Sequence, residues 1–335
     1  MRILVTGGAG FIGSHLCERL LAQGHQVDVI DDLSTGKVAN ISECLRNEKF
    51  GFVNDSVLDQ SMMYVLIAKC DLIFHLAAAV GVKLIVEEPV RTIETNIRGT
   101  EVVLEIAKKF GKRVVLTSTS EVYGKNRNVP FKEEDDCLLG STTFSRWSYA
   151  CSKAIDEFLG LAYHRQFGLP VLIVRLFNTV GERQTGQYGM VIPRFVKAAL
   201  KGEPLFVYGD GMQTRCFGYV GDVIDGLVAL SKKSGAYGDV YNIGATEEVS
   251  IADLAGMIKE MTRSQSEIRF MTYAEAYGQG FDDMRRRVPS LEKVYKQVGY
   301  RPKTSLRETL EKIIQHFRKE IGDELKGSNP NVSLG

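Results

Sequence analysis

The opening segment, residues 1–14, constrains the fold more than any other part of the chain. A short apolar run, Met1–Thr6, leads directly into a glycine cluster, after which leucines recur at helical spacing in Gly13–Gln23. Gly24 ends that helical pattern, and a second apolar run, Gln26–Ile30, follows. A buried strand, a glycine turn, a helix and a second strand together predict the start of a parallel βαβ unit.

The same alternation continues along the first half of the chain. We expect strands in Asp71–Leu76, Arg113–Ser118 and Val171–Leu176, with helices between them in Val90–Phe110 and Trp147–Phe167. Parallel strands joined by helices require right-handed crossovers, which cover both faces of the sheet. The expected fold class is therefore α/β, a Rossmann-type doubly wound parallel sheet.

The alternation loosens after about Thr179, where glycine-containing loops separate shorter helical patterns in Ile192–Lys201 and Ile251–Met261. This change predicts a Rossmann domain over residues 1–179. A smaller C-terminal substrate-binding lobe is expected over residues 180–320.

Two further segments are assigned from their composition. Gly221–Lys232 has a helical pattern, so we expect a return to the helical layer of the main sheet near residues 215–232. Residues 322–335 contain Gly, Ser, Asn and Pro with few large apolar side chains, which predicts a flexible tail.

The composition is that of an ordinary soluble protein. Of the 335 residues, 44% are hydrophobic and 25% are charged, and 42 Lys and Arg residues against 41 Asp and Glu residues leave a formal charge of +1. This balance argues against a nucleic-acid-binding protein, which usually carries a basic excess on one face. No apolar run is long enough for a signal peptide or a membrane span, so the sequence predicts a cytoplasmic protein.

The cysteines give no sign of a metal site or a disulfide framework. They are scattered, without a CxxC motif or nearby histidine pairs, and we expect free structural thiols. The six are Cys17, Cys44, Cys70, Cys137, Cys151 and Cys216.

Gly7, Gly10 and Gly13 stand where the first strand becomes the first helix, and they predict a dinucleotide-binding turn. Gly7 permits a tight turn, Gly10 lets the backbone approach a pyrophosphate, and Gly13 lets the helix pack closely on the strand. The helix N-terminus, with Phe11 and Ile12, offers N–H groups to the anion. We therefore count all five residues as cofactor-binding.

Asp31 lies at the end of the second predicted strand, about twenty residues after the glycine turn. A carboxylate in that place accepts hydrogen bonds from ribose hydroxyls and repels a 2′-phosphate. Asp32 adds a second negative charge, whereas Lys37 is the only nearby cation. The sequence therefore favours NAD over NADP.

Tyr149 and Lys153 are four residues apart on a predicted helix, so their side chains project from one face. A phenol has an ordinary pKa of about 10, and a neighbouring ammonium and a nicotinamide cation would lower it. Such a phenol could remove a hydroxyl proton from a sugar as hydride leaves the same carbon. A surface helix pair is the alternative, but Thr119, Ser120 and Glu121 follow the preceding strand, at the sheet edge where ligands bind.

These motifs together resemble the extended short-chain dehydrogenase/reductase family that acts on nucleotide sugars, from about residue 1 to about residue 310. The matching segments are Gly7-x-x-Gly10-x-x-Gly13, Asp31, His75-Leu76-Ala77-Ala78, Asn96, Thr119-Ser120-Glu121-Val122-Tyr123-Gly124, Tyr149-x-x-x-Lys153, Arg175-x-Phe177-Asn178 and Gly209-Asp210-Gly211-x-Gln213-Thr214-Arg215.

The resemblance implies a tightly held NAD that oxidises the sugar, usually at C4, and is regenerated when the intermediate is reduced. Tyr149 would be the base, Lys153 would hold the nicotinamide ribose, and Thr119 would bind the reacting hydroxyl.

The resemblance also implies residues for the two ends of the ligands. Leu76, Ala77 and Asp55 would line the adenosine half, although the sequence around Asp55 departs from the usual Gly-Asp-hydrophobic form. Asn178 and Arg215 would bind the nucleotide diphosphate, for which an arginine fork is well suited.

The reaction outcome depends on the groups expected near C5 and C6. Family dehydratases carry Asp-Glu after the threonine, and Ser120 stands here in the Asp position, which disfavours water elimination. With Glu121 retained, the Thr-Ser-Glu segment resembles UDP-glucuronate decarboxylases. Arg287 matches the arginine of their Arg-x-Pro segment and would face a C6 carboxylate or a diphosphate, unless Arg285, Arg286 and Arg287 form a solvated turn.

Three functions therefore remain open. The first is a decarboxylase of a UDP-hexuronate such as UDP-glucuronate, and the second is a UDP-sugar 4-epimerase. Ala150-Cys151-Ser152 differs from the decarboxylases, and the segment 184–195 fits either enzyme. The third is a non-catalytic NAD-binding regulator that keeps only the fold.

The expected partners are a UDP-linked nucleotide-diphosphate sugar and a second copy of the chain, and no metal site is expected. Family members commonly dimerise through two helices of each subunit, here Val90–Phe110 and Trp147–Phe167. Four apolar residues of the second helix are assigned either to that surface or to the core: Ala150, Ile155, Phe158 and Leu159.

Overall fold

The computed structural model describes residues 1–80, 88–186, 190–277 and 284–327. The strands, in chain order, are β1 (Arg2–Thr6), β2 (Gln26–Ile30), β3 (Phe50–Val53), β4 (Leu72–His75), β5 (Arg113–Thr119), β6 (Val171–Leu176), β7 (Thr179–Val180), β8 (Leu205–Tyr208), β9 (Thr214–Cys216), β10 (Gly218–Tyr219), β11 (Val240–Ile243), β12 (Glu248–Ser250) and β13 (Ile268–Met271). The α-helices are α1 (Phe11–Ala22), α2 (Gln60–Lys69), α3 (Pro89–Phe110), α4 (Ser148–Phe167), α5 (Val191–Lys201), α6 (Val220–Ser231), α7 (Ile251–Thr262), α8 (Tyr273–Tyr277), α9 (Glu292–Val298) and α10 (Leu306–Gly327).

A seven-stranded parallel sheet forms the centre of the molecule, in the order β11-β6-β5-β4-β1-β2-β3. The strand order reverses between β1 and β4, because β2 and β3 extend the sheet on one side and β4, β5, β6 and β11 extend it on the other. Thr6 pairs in register with both Ile30 and His75, so the carboxyl ends of three strands lie side by side. The predicted α/β doubly wound fold is confirmed.

Alternation along the strands sends apolar side chains to both faces of the sheet. Ile3 and Val5 of β1 pack with α1 and α6, whereas Leu4 packs with α2 and α3 on the other face. Both faces are covered, which is why the strands are almost uniformly apolar.

Glycines end the two long helices beside the site. Gly111 after α3 and Gly168 after α4 adopt left-handed backbone conformations, with φ of 61° and 68°. Pro89 begins α3, where its missing N–H costs no hydrogen bond.

The C-terminal half of the chain contributes to both parts of the molecule. Phe195 of α5, Leu254 of α7 and Leu310 of α10 belong to a separate apolar core in a smaller lobe. The helix expected at Gly221–Lys232 is α6, whose Leu227 is fully buried in the main core.

The predicted tail is wrong for residues 322–327, which continue α10. Ile313, Ile314 and Phe317 anchor this helix in the lobe, and a single glycine at 322 costs only about 1 kcal/mol within a helix. The rest of the predicted tail, 328–335, lies outside the described residues. No helix in the described ranges is both long and apolar enough to cross a membrane.

Candidate functional site

A cavity of about 500 Å³ opens at the carboxyl edge of the main sheet, beside the point where the strand order reverses. Ligands of doubly wound folds bind at such a position. The cavity wall includes every residue that the sequence predicted for the site. These are Gly7, Gly10, Phe11, Ile12, Gly13, Asp31, Asp55, Leu76, Ala77, Thr119, Ser120, Glu121, Tyr149, Lys153, Asn178, Arg215 and Arg287.

The glycine turn has no room for side chains where it packs on the protein. Gly7 has φ of +71°, and a Cβ atom there would lie 2.8 Å from the backbone nitrogen of Ala77. A Cβ atom on Gly13 would lie 2.2 Å from the carbonyl oxygen of Gly7. Gly10, in contrast, has that oxygen as its nearest neighbour, at 3.2 Å, so its exposed side is left open to the cavity.

Asp31 is fixed at the end of β2 by backbone groups. Its Oδ2 atom accepts a hydrogen bond from the N–H of Ala9, and its Oδ1 atom accepts one from the N–H of Leu33, both at 2.9 Å. Burial raises the pKa of Asp31, while these N–H donors act in the opposite direction. The carboxylate therefore lies in a fixed orientation on the cavity wall.

The carboxyl ends of β3 and β4 supply the neighbouring wall. Asp55 follows β3 and accepts a hydrogen bond from the backbone N–H of Ser56 at 2.7 Å. Leu76 and Ala77 follow β4, and the N–H of Ala77 donates to the Thr6 hydroxyl at 3.2 Å. The three predicted residues therefore lie just beyond the carboxyl ends of strands on the two sides of β1.

Tyr149 and Lys153 face the same cavity from α4, and Thr119 faces it from the end of β5. The Asn96 side chain of α3 donates to the Ser152 hydroxyl at 3.2 Å, and that hydroxyl donates to the Tyr149 carbonyl at 2.9 Å. These bonds fasten the first turn of α4 to α3, which fixes the helix that carries the phenol and the ammonium.

Three consecutive arginines have different surroundings. Arg285 and Arg286 are exposed and pair with Asp210 and Glu248, at 2.7 Å and 2.8 Å. Arg287 turns into the cavity, where its side chain is 7% exposed and pairs with Glu121 at 2.8 Å. Of the two alternatives given by the sequence, the solvated turn therefore describes only the first two arginines.

Polar groups of the lobe side surround that buried pair. Arg287 also donates to the side-chain oxygen of Asn178 at 3.3 Å, and the Asn178 amide donates to the carbonyl of Cys216 at 3.1 Å. Arg215 is buried beside them on β9. The hydroxyl of Ser120 is buried and has no hydrogen-bond partner within the described ranges, so it is available to a ligand.

Comparison with known proteins shows the family to which the chain belongs. The profile of the family described as GDP-mannose 4,6 dehydratase matches residues 4–313. A UDP-N-acetyl-alpha-D-glucosaminuronate decarboxylase of Bacillus cytotoxicus is 44% identical over 323 residues, which cover 96% of this chain and 99% of that protein. UDP-glucuronic acid decarboxylase 1 of Xenopus tropicalis is 38% identical over 320 residues, covering 96% of this chain and 73% of that protein.

The chain is an extended short-chain dehydrogenase/reductase of the nucleotide-sugar epimerase/dehydratase family. Among solved structures, UDP-glucuronic acid 4-epimerase from Bacillus cereus, in complex with UDP-glucuronic acid and NAD, superposes with a TM-score of 0.86 at 31% identity. That match covers 96% of this chain and 100% of that chain. Enzymes of this family are NAD-dependent, and the predicted resemblance is confirmed.

The residues present in this family member fit a dinucleotide. The open side of Gly10, the fixed carboxylate of Asp31 and the N-terminus of α1 face one cavity. This is the arrangement that a pyrophosphate and an adjacent ribose require.

Several cavity residues were not assigned from the sequence. Arg183 donates to Glu18 at 2.6 Å and to the carbonyl of Asn40 at 3.2 Å, so it joins the lobe side to the loop behind the glycine turn. Arg194 lies over the ring of Tyr208 at 4.0 Å. These contacts join segments that are distant in sequence, so no local sequence pattern indicated a role for Arg183, Arg194 or Tyr208.

We expect Gly13→Ala to abolish or greatly weaken dinucleotide binding. The added methyl group would overlap the Gly7 carbonyl and the backbone of Gly8, and backbone atoms cannot move aside as a flexible side chain can. The measurement is the amount of NAD released from purified protein on denaturation, together with NAD affinity by calorimetry.

Gly256→Ala is the matched control, because a Cβ atom there has no neighbour within 4 Å. NAD affinity of Gly13→Ala equal to that of the control would contradict the assigned packing of the turn.

Proposed function

We propose that this chain is an NAD-dependent decarboxylase of a UDP-linked hexuronate. The two candidate substrates are UDP-glucuronate and UDP-N-acetylglucosaminuronate, because the names of two similar decarboxylases specify these sugars. The observation that supports this proposal most directly is the buried Arg287–Glu121 pair at the cavity wall. It provides a cation for a substrate carboxylate beside an acidic group that can exchange a proton.

The cofactor proposed for this chain is NAD, which when bound accepts a hydride from the sugar. Asp31 supports NAD over NADP, because a 2′-phosphate would meet a buried carboxylate there. The glycine turn and α1 would hold the pyrophosphate. Asp55, Leu76 and Ala77 would line the adenosine half.

Tyr149 is proposed as the base that removes the proton of the C4 hydroxyl. The ammonium of Lys153 on the next turn of α4 would favour the phenolate and hold a ribose hydroxyl. Thr119 would hydrogen-bond the reacting hydroxyl. Oxidation at C4 produces a ketone, with the C6 carboxylate in the β position.

The ketone makes the loss of carbon dioxide possible, because the electrons of the C5–C6 bond move to an enolate at C5 and C4. Arg287 would hold the carboxylate before cleavage. Glu121, or water beside it, would return a proton to C5. Return of the hydride to C4 would be matched by return of the Tyr149 proton to the C4 oxygen, which gives a UDP-pentose.

The nucleotide diphosphate is proposed to lie along the lobe side of the cavity. Asn178 and Arg215 would bind it, with Ser120 nearer the sugar. The ring of Tyr208, which Arg194 holds from one side, would provide a flat apolar surface for the base.

A UDP-sugar 4-epimerase is the second candidate. The observation that favours it is the match to the UDP-glucuronic acid 4-epimerase structure over the whole of that chain. The two reactions share their first step and differ only in what happens at C5 and C6. A non-catalytic regulator is less favoured, because Thr119, Tyr149 and Lys153 are all present at one cavity.

We expect the purified protein to convert UDP-glucuronate or UDP-N-acetylglucosaminuronate to a product lighter by carbon dioxide. Mass spectrometry of the product checks this. An isomer of unchanged mass would establish epimerisation instead.

In the same assay, Arg287→Gln should lower kcat/KM for the uronate about a hundredfold, since a buried charge-assisted contact is lost. Arg286→Gln is the matched control, because its guanidinium lies on the exposed side and pairs with Glu248. An equal loss of kcat/KM in the two variants would refute the proposal that Arg287 binds the substrate carboxylate.

We expect Tyr149→Phe to lower kcat about a thousandfold or more, because the general base is removed, while NAD stays bound. Turnover and bound NAD are measured on the same preparation. Tyr163→Phe, on the same helix but outside the cavity wall, should keep normal turnover. Near-normal activity of Tyr149→Phe would refute the proposed role.

A homodimer is proposed from the exposed faces of α3 and α4. Of the four apolar residues left open by the sequence, Ala150 belongs to the core and Leu159 packs partly against it. Ile155 and Phe158 lie on the surface of α4, where the Phe158 side chain is 73% exposed. Val90 and Ile93 are exposed on α3.

We expect Phe158→Glu to convert a dimer to a monomer, since a charge in an apolar interface would be desolvated without a partner. Sedimentation velocity checks the mass. Leu45→Glu changes another exposed apolar residue, away from both helices, and should leave the dimer intact. A Phe158→Glu protein that sediments like the wild type would exclude this surface.

A further inference from the structure

The ammonium of Lys153 is held by a carboxylate within the protein. Its Nζ atom lies 2.7 Å from Oδ2 of Asp156, and the two side chains are only 4% and 2% exposed. Lys153 reaches the cavity wall, whereas Asp156 lies behind it and does not line the cavity. Asp156 therefore anchors the Lys153 ammonium from the side that faces away from the cavity.

A row of buried polar groups also lies between α3 and the start of the glycine turn. The Thr6 hydroxyl, which accepts from the Ala77 N–H, lies 2.8 Å from Nδ1 of His75. On the other side of the ring, Nε2 lies 3.4 Å from the Thr100 hydroxyl. Thr6 and Thr100 are fully buried, and His75 is almost so.

The protonation of this row follows from its burial. Burial lowers the pKa of His75 to about 3, with a smaller contribution from the Lys153 charge, so the ring is neutral near pH 7. The Thr6 hydroxyl already accepts a bond from the Ala77 N–H, so its own proton is placed toward Nδ1 of His75. The ring proton of His75 then lies on Nε2, facing Thr100. Thr100 in turn favours the charged form of Asp156.

Burial raises the pKa of Asp156, and the Lys153 ammonium and the Thr100 hydroxyl both oppose that rise. The carboxylate therefore depends on these two neighbours to remain charged. An ammonium carries three N–H donors, so one bond to Asp156 leaves the others for groups in the cavity.

We propose that Asp156 is a positioning residue, which anchors Lys153 at the cavity wall and offsets part of its charge beside Tyr149. This inference rests on the proposed function of Tyr149 and Lys153. It follows that the lysine binds the nicotinamide ribose from a fixed position. It also follows that Lys153 alone does not set the basicity of the Tyr149 phenol, because the carboxylate of Asp156 offsets part of the lysine charge.

The groups around Asp156 allow its charge to be removed without disturbing another ion pair. On its own helix Asp156 faces Lys153 and Glu157, and from α3 it faces the Thr100 hydroxyl, beyond which lies the neutral ring of His75. Glu157 is already paired with Arg175 of β6 at 2.8 Å. Asp156→Asn therefore removes one negative charge while keeping the shape of the side chain.

The test compares wild type and Asp156→Asn in two measurements. Calorimetry with NAD should show affinity lowered about tenfold, because the ammonium loses its fixed position. In the pH profile of kcat, the ascending limb should move to lower pH by about one unit, because losing a negative charge makes proton loss from the phenol easier. The nucleotide sugar is whichever of the two uronates the wild type converts.

Asp28→Asn is the matched control, because Asp28 is also buried and paired with a cation, Arg2, at 2.5 Å, but lies outside the cavity wall. A purely structural role for Asp156 would lower the thermal midpoint in both variants and leave NAD affinity and the pH limb unchanged. That result, with an active wild type, would overturn the inference. A wild type that forms no product would instead count against the proposed function.

A stability cycle tests the anchor if Asp156→Asn does not fold. Lys153→Met leaves an unpaired buried carboxylate and should lower the thermal midpoint. Adding Asp156→Asn to Lys153→Met should then raise the midpoint again. A double variant no more stable than Lys153→Met would show that the two side chains are not coupled, and the anchor would be excluded.

Discussion

The parallel pairing of β1 with both β2 and β4 is the constraint on which the site depends. Because neighbouring strands run in one direction and in register, their carboxyl ends meet at one edge of the sheet. The residues at or just after the carboxyl ends of β2, β4 and β5 therefore reach one cavity, which brings together Asp31, Leu76 and Thr119 although they are distant in sequence. The chemistry is thus assembled by the sheet, and α4 then adds Tyr149 and Lys153 from one side.

Local signals explain what the sequence could predict. The glycine spacing at 7–13, the acidic residue after β2 and the helical spacing of Tyr149 and Lys153 each depend on a few neighbouring residues, and all of them line the cavity. The short strand β11 was not predicted, because four residues carry little periodic signal. Asp156 was not assigned either: it stands three residues after Lys153 on α4, but the burial of this pair and its approach to Thr100 arise only once α3 and α4 are packed.

The arginines at 285–287 show where sequence reasoning reaches its limit. Adjacent side chains of one type look alike in a sequence, and only the tertiary fold determines which of them is removed from water. Arg287 is buried with Glu121, while Arg285 and Arg286 form ion pairs at the surface. A buried arginine requires a compensating anion, and that requirement gives the position chemical meaning.

The chain enters the lobe before the main sheet is complete. Strand β11, which pairs in parallel with β6, comes after α5 and α6 in the chain. Helix α6 packs on the same face of the sheet as Ile3 and Val5 of β1. A fragment that stopped at residue 179 would leave one edge of β6 unpaired and would remove α6 from the face of the sheet that it shares with α1. The two parts of the molecule are consequently interwoven, so a natural recombination event could not exchange one of them by joining two genes at a single point.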